Sequence, residues 1–189
     1  MYCFRKGIIF FLLLAGALSC FSCKSTAHVR DELFVWITGN SKYILLPPRD
    51  IENTMDMLQL ISASYGGQEF NFNAWVSAGK TGIDMTLLNE LGTNLGELSW
   101  NGDNVFFSST VFPKSVRGEY IIADFQLCFY NTASLKTALK KSGLSIEDTQ
   151  SGRRIYNGKT LIIEIIKSTD TVRFVNHLRG YAYTMQGEF

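Results

Sequence analysis

Short runs in which apolar and polar residues alternate constrain this chain more than any other feature. The run "EFNFNAWVS" places Phe70, Phe72 and Ala74 on one face and polar residues between them, and "GIDMTLL" repeats the pattern. A period of two is typical of β-strands that bury one face. Trp75 departs from the pattern by standing on the polar face. Patterns of this kind predict strands at residues 43–46, 56–65, 68–78, 82–89, 95–100, 103–110, 153–157, 159–168, 171–177 and 181–186.

Glycine-containing turns join these runs. Asn101-Gly102 and Asn157-Gly158 each stand between two apolar runs and predict two-residue hairpin turns, because Asn-Gly tolerates positive φ at both central positions. Gly66-Gly67 predicts a third hairpin turn, and residues 78–81 a fourth. Strands joined by such short turns pair antiparallel.

One interval, residues 119–143, follows a helical period instead. Ile121, Phe125 and either Cys128 or Phe129 recur on one face at a spacing of 3.6 residues. Thr132 is placed to cap a second helix, and Gly143 to end it. Two helices set between two groups of strands predict an α+β fold, mainly β, with the helices on one side of an antiparallel sheet.

The first residues have the layout of a secretory signal. Arg5 and Lys6 precede an apolar run that is too short to span a bilayer, and small residues lead up to Cys20. This zone resembles a bacterial lipobox, in which a cysteine becomes the acylated N-terminus. Cys20 is the predicted acylation site, and Cys23 is the alternative. We therefore predict a signal peptide at 1–19, a lipidated N-terminus and tether at 20–30, and a single domain at 31–189.

Charge and cysteine content argue against nucleic acid as a partner and against a fold held by disulfide bonds. The chain has 18 basic and 17 acidic residues, and cleavage after residue 19 removes two of the basic ones. A nearly neutral protein has no broad basic face for nucleic acid, so we expect none as a partner. Beyond the two lipobox cysteines only Cys128 remains, which excludes a disulfide framework. We expect a monomer.

Catalytic and metal-binding patterns are sparse. His28 falls in the tether, and His177 lies in a predicted strand, where an isolated histidine is usually structural. Cys128 stands between Leu127 and Phe129, which indicates packing rather than a Cys-His nucleophile. No Cys/His spacing fits a metal site, and Arg153-Arg154 suits a solvated strand end. The sequence thus predicts a protein without enzyme activity, metal or cofactor.

The sequence resembles an uncharacterised family of Gram-negative lipoproteins, domain of unknown function 3261. The blocks "ADFQLCFYNTASLKTAL", "GRRIYNGK" and "VNHLRGYAYTMQ" carry the resemblance, and "LPP", "YGGQEFNFNAWV" and "LGTNLGELSW" extend it. Its distinctive positions are Ala123, Asp124, Gln126, Leu127, Arg154, Asn176, Gly180 and Tyr181. Asn131 stands where the family tends to have proline.

That family is similar to the LolA/LolB lipoprotein carriers. The similarity implies a half-open barrel of about eleven antiparallel strands with a helical lid, enclosing an apolar cavity for acyl chains. The hairpin tip at residues 78–80 lacks the large apolar residue of a LolB delivery loop. The candidate cavity residues are Phe70, Phe72, Leu87, Phe107, Ile163 and Ile165 on the wall and Phe125, Phe129 and Leu135 on the lid.

These observations lead to one expected function and two alternatives. We expect an outer-membrane lipoprotein that faces the periplasm, is anchored through Cys20, and binds an acyl chain or acylated cargo for transfer or insertion. One alternative is a scaffold lipoprotein with a filled core that recruits partner proteins, since most buried apolar stripes are simply core. The other is an acyl-transfer enzyme that depends on Cys128.

Overall fold

A computed structural model describes residues 32–189 and places two antiparallel sheets and two α-helices in them. The strands are β1 (Phe34–Trp36), β2 (Lys42–Ile44), β3 (Met55–Tyr65), β4 (Gln68–Ala78), β5 (Ile83–Leu88), β6 (Asn94–Trp100), β7 (Val105–Ser109), β8 (Ser145–Thr149), β9 (Gly152–Asn157), β10 (Thr160–Lys167), β11 (Thr171–Asn176) and β12 (Tyr181–Gln186). The helices are α1 (Gly118–Phe129) and α2 (Thr132–Lys141). The predicted signal peptide, tether and Cys20 lie outside the described residues.

The large sheet has ten strands in the order β7-β6-β5-β4-β3-β12-β11-β10-β9-β8. Every neighbouring pair is antiparallel, and the pairing of β12 with β3 joins an N-terminal meander to a C-terminal one. The two edge strands, β7 and β8, are consecutive along the chain, and both helices lie between them in sequence. The mainly β fold with a helical pair is therefore confirmed.

The alternation seen in the sequence matches the two faces of this sheet. Along β4, Phe72, Ala74 and Val76 are buried, whereas Trp75 is 46% exposed on the opposite, outer face. The Trp75 indole N–H donates to Asp56 across the pair of strands, which fixes the ring on the outer surface. The inner face and the helices share one continuous apolar core.

Helix α1 lies across the inner face and contacts both β7 and β11. These strands are six positions apart in the sheet order, which in a flat sheet is about 29 Å. The twelve residues of α1 are only about 18 Å long. The sheet therefore curves around the helix, an arrangement compatible with a half-open barrel.

The helix ends follow from local sequence, with one correction. The cap of α2 is Asn131, whose side chain accepts a hydrogen bond from the Ala133 N–H; the predicted cap, Thr132, is the first helical residue. Asn131 can cap because its short side-chain oxygen accepts from an otherwise free amide in the first turn of the helix. Gly143 follows the last helical turn with a φ of 76°, as predicted for a residue that ends a helix.

The segment before β3 docks on the junction between the helices. A 3-10 turn at Pro48–Asp50 leads into Ile51, which forms an antiparallel bridge with Tyr130. Backbone bonds from Glu52 to the Phe129 carbonyl and from Asn131 to the Asp50 carbonyl complete the contact. The Lys80 ammonium also donates to the Arg49 and Ile51 carbonyls, so the turn between β4 and β5 is tied to this segment.

The predicted turns are partly correct. Gly66-Gly67 forms a two-residue hairpin turn with positive φ at both glycines, as expected. The turn predicted at Asn157-Gly158 is also two residues long, but its central residues are Gly158 and Lys159, because Asn157 still pairs with Thr160. The Asn101-Gly102 prediction is wrong: the loop from residue 101 to 104 has four residues, and the Asn101 side chain accepts from two of its amides.

Two strands were missed, β1 and β8, because neither has a visible alternation. β8 has a single apolar residue, Ile146, among four polar ones, and it is an edge strand. β1 has three residues, too few for any period to show. Both are defined by their partners, β9 and β2, rather than by their own sequence.

Gly152 at the start of β9 offers a test of the pairing between β9 and β10. Its φ is 139°, and a Cβ there would overlap the Ile165 carbonyl oxygen. We expect Gly152→Ala to lower the free energy of unfolding by about 2–4 kcal/mol, because both strain and steric overlap must be relieved. Gly39, which has open space around it, is the matched control, and Gly39→Ala should change stability by less than about 0.5 kcal/mol. Equal urea-denaturation midpoints for the two variants would contradict the pairing.

Candidate functional site

The predicted wall and lid residues lie on the inner face of the sheet and on the helices. Those that are fully buried are Phe72, Leu87, Phe125, Leu135, Ile163 and Ile165, and those that are partly buried against the same core are Phe70, Phe107 and Phe129. Their side chains are packed into the core in this conformation. The structure thus brings all nine residues to the inner face of the sheet and to the helices that cover it.

Aromatic contacts join parts of this surface through a residue that the sequence did not single out. Phe112 follows β7 and meets Phe72 edge-on at 5.7 Å between ring centroids and Phe107 at 6.1 Å. On α1, Phe125 and Phe129 are 4.8 Å apart. Phe112 was missed because it lies in a loop, where no period marks an inward-facing residue.

Two open depressions lie at the rim of the sheet. One, of about 530 Å³, is lined mainly by polar residues around Ser77, Thr81 and Asp84. The other, of about 520 Å³, lies between the start of β3 and the residues after β12. None of the predicted wall and lid residues lines either depression.

Polar contacts fasten the end of α1 to the sheet. Arg153 on β9 is 2% exposed, and its Nη1 donates to the carbonyl oxygens of Leu127 and Cys128 at 2.9 and 3.1 Å. Its Nη2 donates to the Thr132 hydroxyl, which in turn donates to Asp148. A buried charge needs partners to offset its lost hydration, and carboxylates supply them.

Those carboxylates come from two elements. Asp148 on β8 lies 3.4 Å from the guanidinium of Arg153, and Glu52 lies 3.5 Å from it. The prediction that Arg153-Arg154 is a solvated strand end is therefore wrong for Arg153 and holds for Arg154, which is exposed and paired with Glu164. The alternation of β9 contained the information, since Arg153 shares a face with Ile155.

A second polar contact holds the last turn of α1 against β2. The Gln126 side-chain oxygen accepts from the Tyr43 hydroxyl and the Leu46 N–H, and its amide donates to the Leu46 carbonyl at 2.7 Å. Gln126 and Tyr43 are fully buried. This side chain therefore takes the place of a missing strand partner for Leu46 and fixes the position of β2 against the helix.

A third polar contact joins α1 to β12. The Tyr181 hydroxyl donates to the Asp124 carboxylate at 2.6 Å and accepts from the Asn176 amide at 3.3 Å. Burial raises the pKa of the Asp124 carboxyl from near 3.8 to about 7, and the hydrogen bond from Tyr181 and the nearby Arg179 guanidinium oppose the rise. Asp124, Asn176 and Tyr181 were distinctive positions of the sequence, and the structure brings them together.

The Cys128 thiol is not part of a nucleophilic pair. Cys128 is fully buried on α1, and burial raises its pKa to about 12, so the thiol is protonated at neutral pH. His177 lies in the turn after β11, not in the strand, and faces Glu164 on the outer side of the sheet at 3.9 Å. The two residues therefore lie on opposite sides of the sheet.

Residues 32–189 contain neither a cluster of metal-ligating side chains nor a membrane-spanning helix. In that range, no three or more His, Cys, Asp and Glu side chains come together in a geometry that would hold a metal ion. Nor does that range contain a helix with the length and apolar character needed to span a bilayer.

The Gln59 amide on β3 is buried without a polar contact in the described part of the chain. It is 1% exposed, and its Nε2 has no hydrogen-bond partner among the described residues. A buried donor without a partner costs about 1–3 kcal/mol.

The fold and these contacts define a class of protein: a curved antiparallel sheet whose apolar inner face is covered by a helical pair held through buried polar side chains. A family model described as "Protein of unknown function (DUF3261)" matches residues 56–186, which is well over half of the chain. The chain belongs to this family. No curated protein matches it.

Protonation of Asp124 generates a pH prediction. A carboxyl whose pKa is higher in the folded state stabilises the fold when protonated, and that stability is lost as pH rises from the unfolded value of about 4 toward about 7. We expect the wild type to lose at most about 4 kcal/mol of stability over this range relative to Asp124→Asn, which keeps an acceptor for Tyr181 without a charge.

Urea denaturation at several pH values between 4 and 8 measures this difference. Asp84→Asn, which makes the same substitution on the exposed outer face of β5, is the matched control. Parallel stability curves for the wild type and Asp124→Asn would show that Asp124 is ionised without cost in the fold.

Proposed function

We propose that the protein is a lipid-anchored carrier of the LolA/LolB type, in which a half-open barrel and its helical lid hold an acyl chain or an acylated cargo. Its N-terminal Cys20 carries the acyl chains that attach it to the periplasmic side of the outer membrane. The carrier acts without covalent chemistry. It removes the apolar chain from water while the chain passes between membranes or proteins, at roughly 25 cal/mol per Å² of buried surface.

The placement of the helical pair carries this proposal. The chain leaves the sheet at one edge strand, β7, forms the two helices, and rejoins the sheet at the other edge strand, β8. The helices therefore cover the inner face without taking part in the strand pairing. Most buried side chains of the inner face are apolar, with Phe72, Ile163 and Ile165 among them. A cover of this kind can shift without breaking the hydrogen-bond ladder of the sheet.

Cargo binding in this proposal is an exchange of apolar contacts. In the closed conformation the Phe125 and Phe129 rings pack over the inner face. When α1 moves outward, an acyl chain takes the space of these rings, so the apolar inner face stays out of water. Because one apolar partner replaces another, the exchange needs little net free energy beyond that of moving the helix.

The hairpin tip between β4 and β5 favours carriage and release over insertion into a membrane. Its residues 79–82 include no large apolar side chain, and Lys80 is bonded to the carbonyls of Arg49 and Ile51. A loop that inserts into a bilayer needs exposed apolar groups. We therefore expect the cargo to pass to an acceptor other than the bilayer itself.

The alternative function, a scaffold lipoprotein with a filled core, is favoured by one observation. Most predicted wall and lid residues are buried and belong to one apolar core. A scaffold would use the outer face instead, where Leu58, Leu60 and Trp75 are exposed on neighbouring strands. A binding assay with an acyl ligand separates the two functions.

The assay uses a fluorescent fatty-acyl probe and a soluble form that lacks residues 1–23 and retains the compact unit from residue 32 to 189. We expect the wild type to bind the probe and Phe125→Asp to weaken binding at least tenfold, because a carboxylate under the lid loses its water without gaining a partner. Lys140→Asp is the matched control: it adds the same side chain on the exposed face of α2 and should bind normally.

Circular dichroism and a thermal melt of each variant establish folding. A folded Phe125→Asp variant that binds as tightly as Lys140→Asp would place the ligand elsewhere. A wild type that binds no acyl probe would exclude the carrier function and favour the scaffold.

The membrane anchor is tested separately. We expect mass spectrometry of the mature protein to find an acylated N-terminal peptide that begins at Cys20, and Cys20→Ser to leave the protein as precursor or move it out of the outer-membrane fraction, since two or more acyl chains are needed for stable attachment. Cys23→Ser is the matched control and should fractionate as the wild type does. A mature peptide that begins at Cys23 would reverse these two roles.

A further inference from the structure

The residues that follow β12 fold back onto the inner side of the sheet. The Gly187 N–H donates to the Asp170 carbonyl, and a Cβ at Gly187 would lie 3.3 Å from the Met57 sulfur and 3.4 Å from Gln59 Cγ. Two residues further on, the Phe189 ring stacks on Phe129 with 5.6 Å between centroids and 22° between planes. Residues 187–189, the covering segment, therefore reach from Gln59 to α1.

The covering segment is weakly attached. Phe189 is 41% exposed, and its stacking on Phe129 continues the contact of Phe129 with Phe125. No hydrogen bond of Glu188 or Phe189 to another described residue is present; the Gly187 amide supplies the hydrogen bond of this segment. An aromatic ring held by stacking alone can be displaced by another apolar group.

An unpartnered donor lies directly beside the covering segment. Gln59 faces the interior from β3, opposite Ala74 of β4, and its Nε2 has no partner within residues 32–189. The open depression of about 520 Å³ at the start of β3 is lined by Met57, Gly187 and Glu188, so it borders the same segment. A ligand that moves the segment aside would gain access to this amide.

Charge around the depression restricts what can enter. Asp56, Asp170 and Glu188 line it, and among the described residues no basic side chain does. A free fatty-acid carboxylate would approach these acidic residues without a counter-charge. An acyl chain that ends in an ester or amide carries no charge, and its carbonyl oxygen can accept from Gln59 Nε2.

We propose that Gln59 is the polar recognition group of the carrier site, that it binds the neutral carbonyl of an ester- or amide-linked acyl chain, and that Phe189 occupies the place of that chain until the ligand displaces it. This inference rests on the proposed carrier function and specifies its ligand class. The chain packs against Phe125 and Phe129, and the carbonyl satisfies the buried donor. Free fatty acids bind more weakly because of the acidic rim.

Two fluorescent probes of equal chain length test the inference, a free fatty acid and its methyl ester, with the soluble form used above. We expect the ester to bind at least about fivefold more tightly. Gln59→Met, which preserves the shape without the amide, should weaken ester binding about fivefold and leave binding of a carbonyl-free alkyl probe unchanged. Phe189→Ala should tighten binding of all three probes. Phe106→Ala, on the outer face, is the control and should change none of them.

A measurement without ligand keeps the inference falsifiable if a variant binds poorly. Because Gln59→Met removes an unpartnered buried donor, it should raise the melting temperature, by about 2–4 °C. A lower melting temperature would show that the amide serves the fold and would overturn its role in recognition. Equal binding of acid and ester, with no response to Gln59→Met or Phe189→Ala, would overturn this site and leave the carrier function intact. Failure of every probe to bind both wild type and Phe189→Ala would overturn the carrier function as well.

Discussion

The buried guanidinium of Arg153 fixes where the helices lie on the sheet. The last carbonyls of a helix have no partner within it, and burying them unpaired is costly. At the end of α1, the backbone N–H of Tyr130 donates to the Gln126 carbonyl, and the backbone N–H of Glu52 donates to the Phe129 carbonyl. The Arg153 guanidinium donates to the carbonyls of Leu127 and Cys128. The positive charge also lies at the C-terminal, negative end of the helix dipole, which is a stabilising arrangement. One side chain on β9 therefore ends α1 and, through Thr132, positions the start of α2.

The attachment of α1 combines two kinds of interaction with different consequences. Arg153 on β9 donates to carbonyls at the end of α1, and the helix residues Gln126 and Asp124 accept from Tyr43 on β2 and Tyr181 on β12. These directional hydrogen bonds set the register of the helix. Between them the contacts are apolar, and apolar contacts depend on buried area rather than on direction. A helix held in this way has one preferred position, yet another apolar surface can replace the contacts beneath it. A filled core and a carrier function are therefore compatible in the same fold.

The sequence was informative wherever a feature depends on nearby residues. The alternation of β4 and β5, the glycine turn at Gly66-Gly67 and the two helices were all visible, because the faces of an element are fixed by its own period. Features that depend on distant residues were not visible. Arg153 needed the carbonyls of α1, 25 or more residues earlier, to explain a buried charge. β8 needed β9, and the stacking of Phe189 on Phe129 joins the helix to a segment beyond the last strand. The placement of the wall residues on the inner face could be predicted, but whether a ligand occupies the space above them depends on packing, which no period encodes.

The position of the helices also explains why the sheet stays open. The edge strands β7 and β8 are short, with five residues each, and the chain that connects them passes through α1 and α2. Pairing of β7 with β8 would close the barrel, but it would require the interior to hold the helices as well as the inner-face side chains. The helices occupy that volume, and short edge strands limit pairing with other chains. In the proposed carrier, the gap between the two edges would be the route by which a long, apolar ligand reaches the inner face without unfolding any strand.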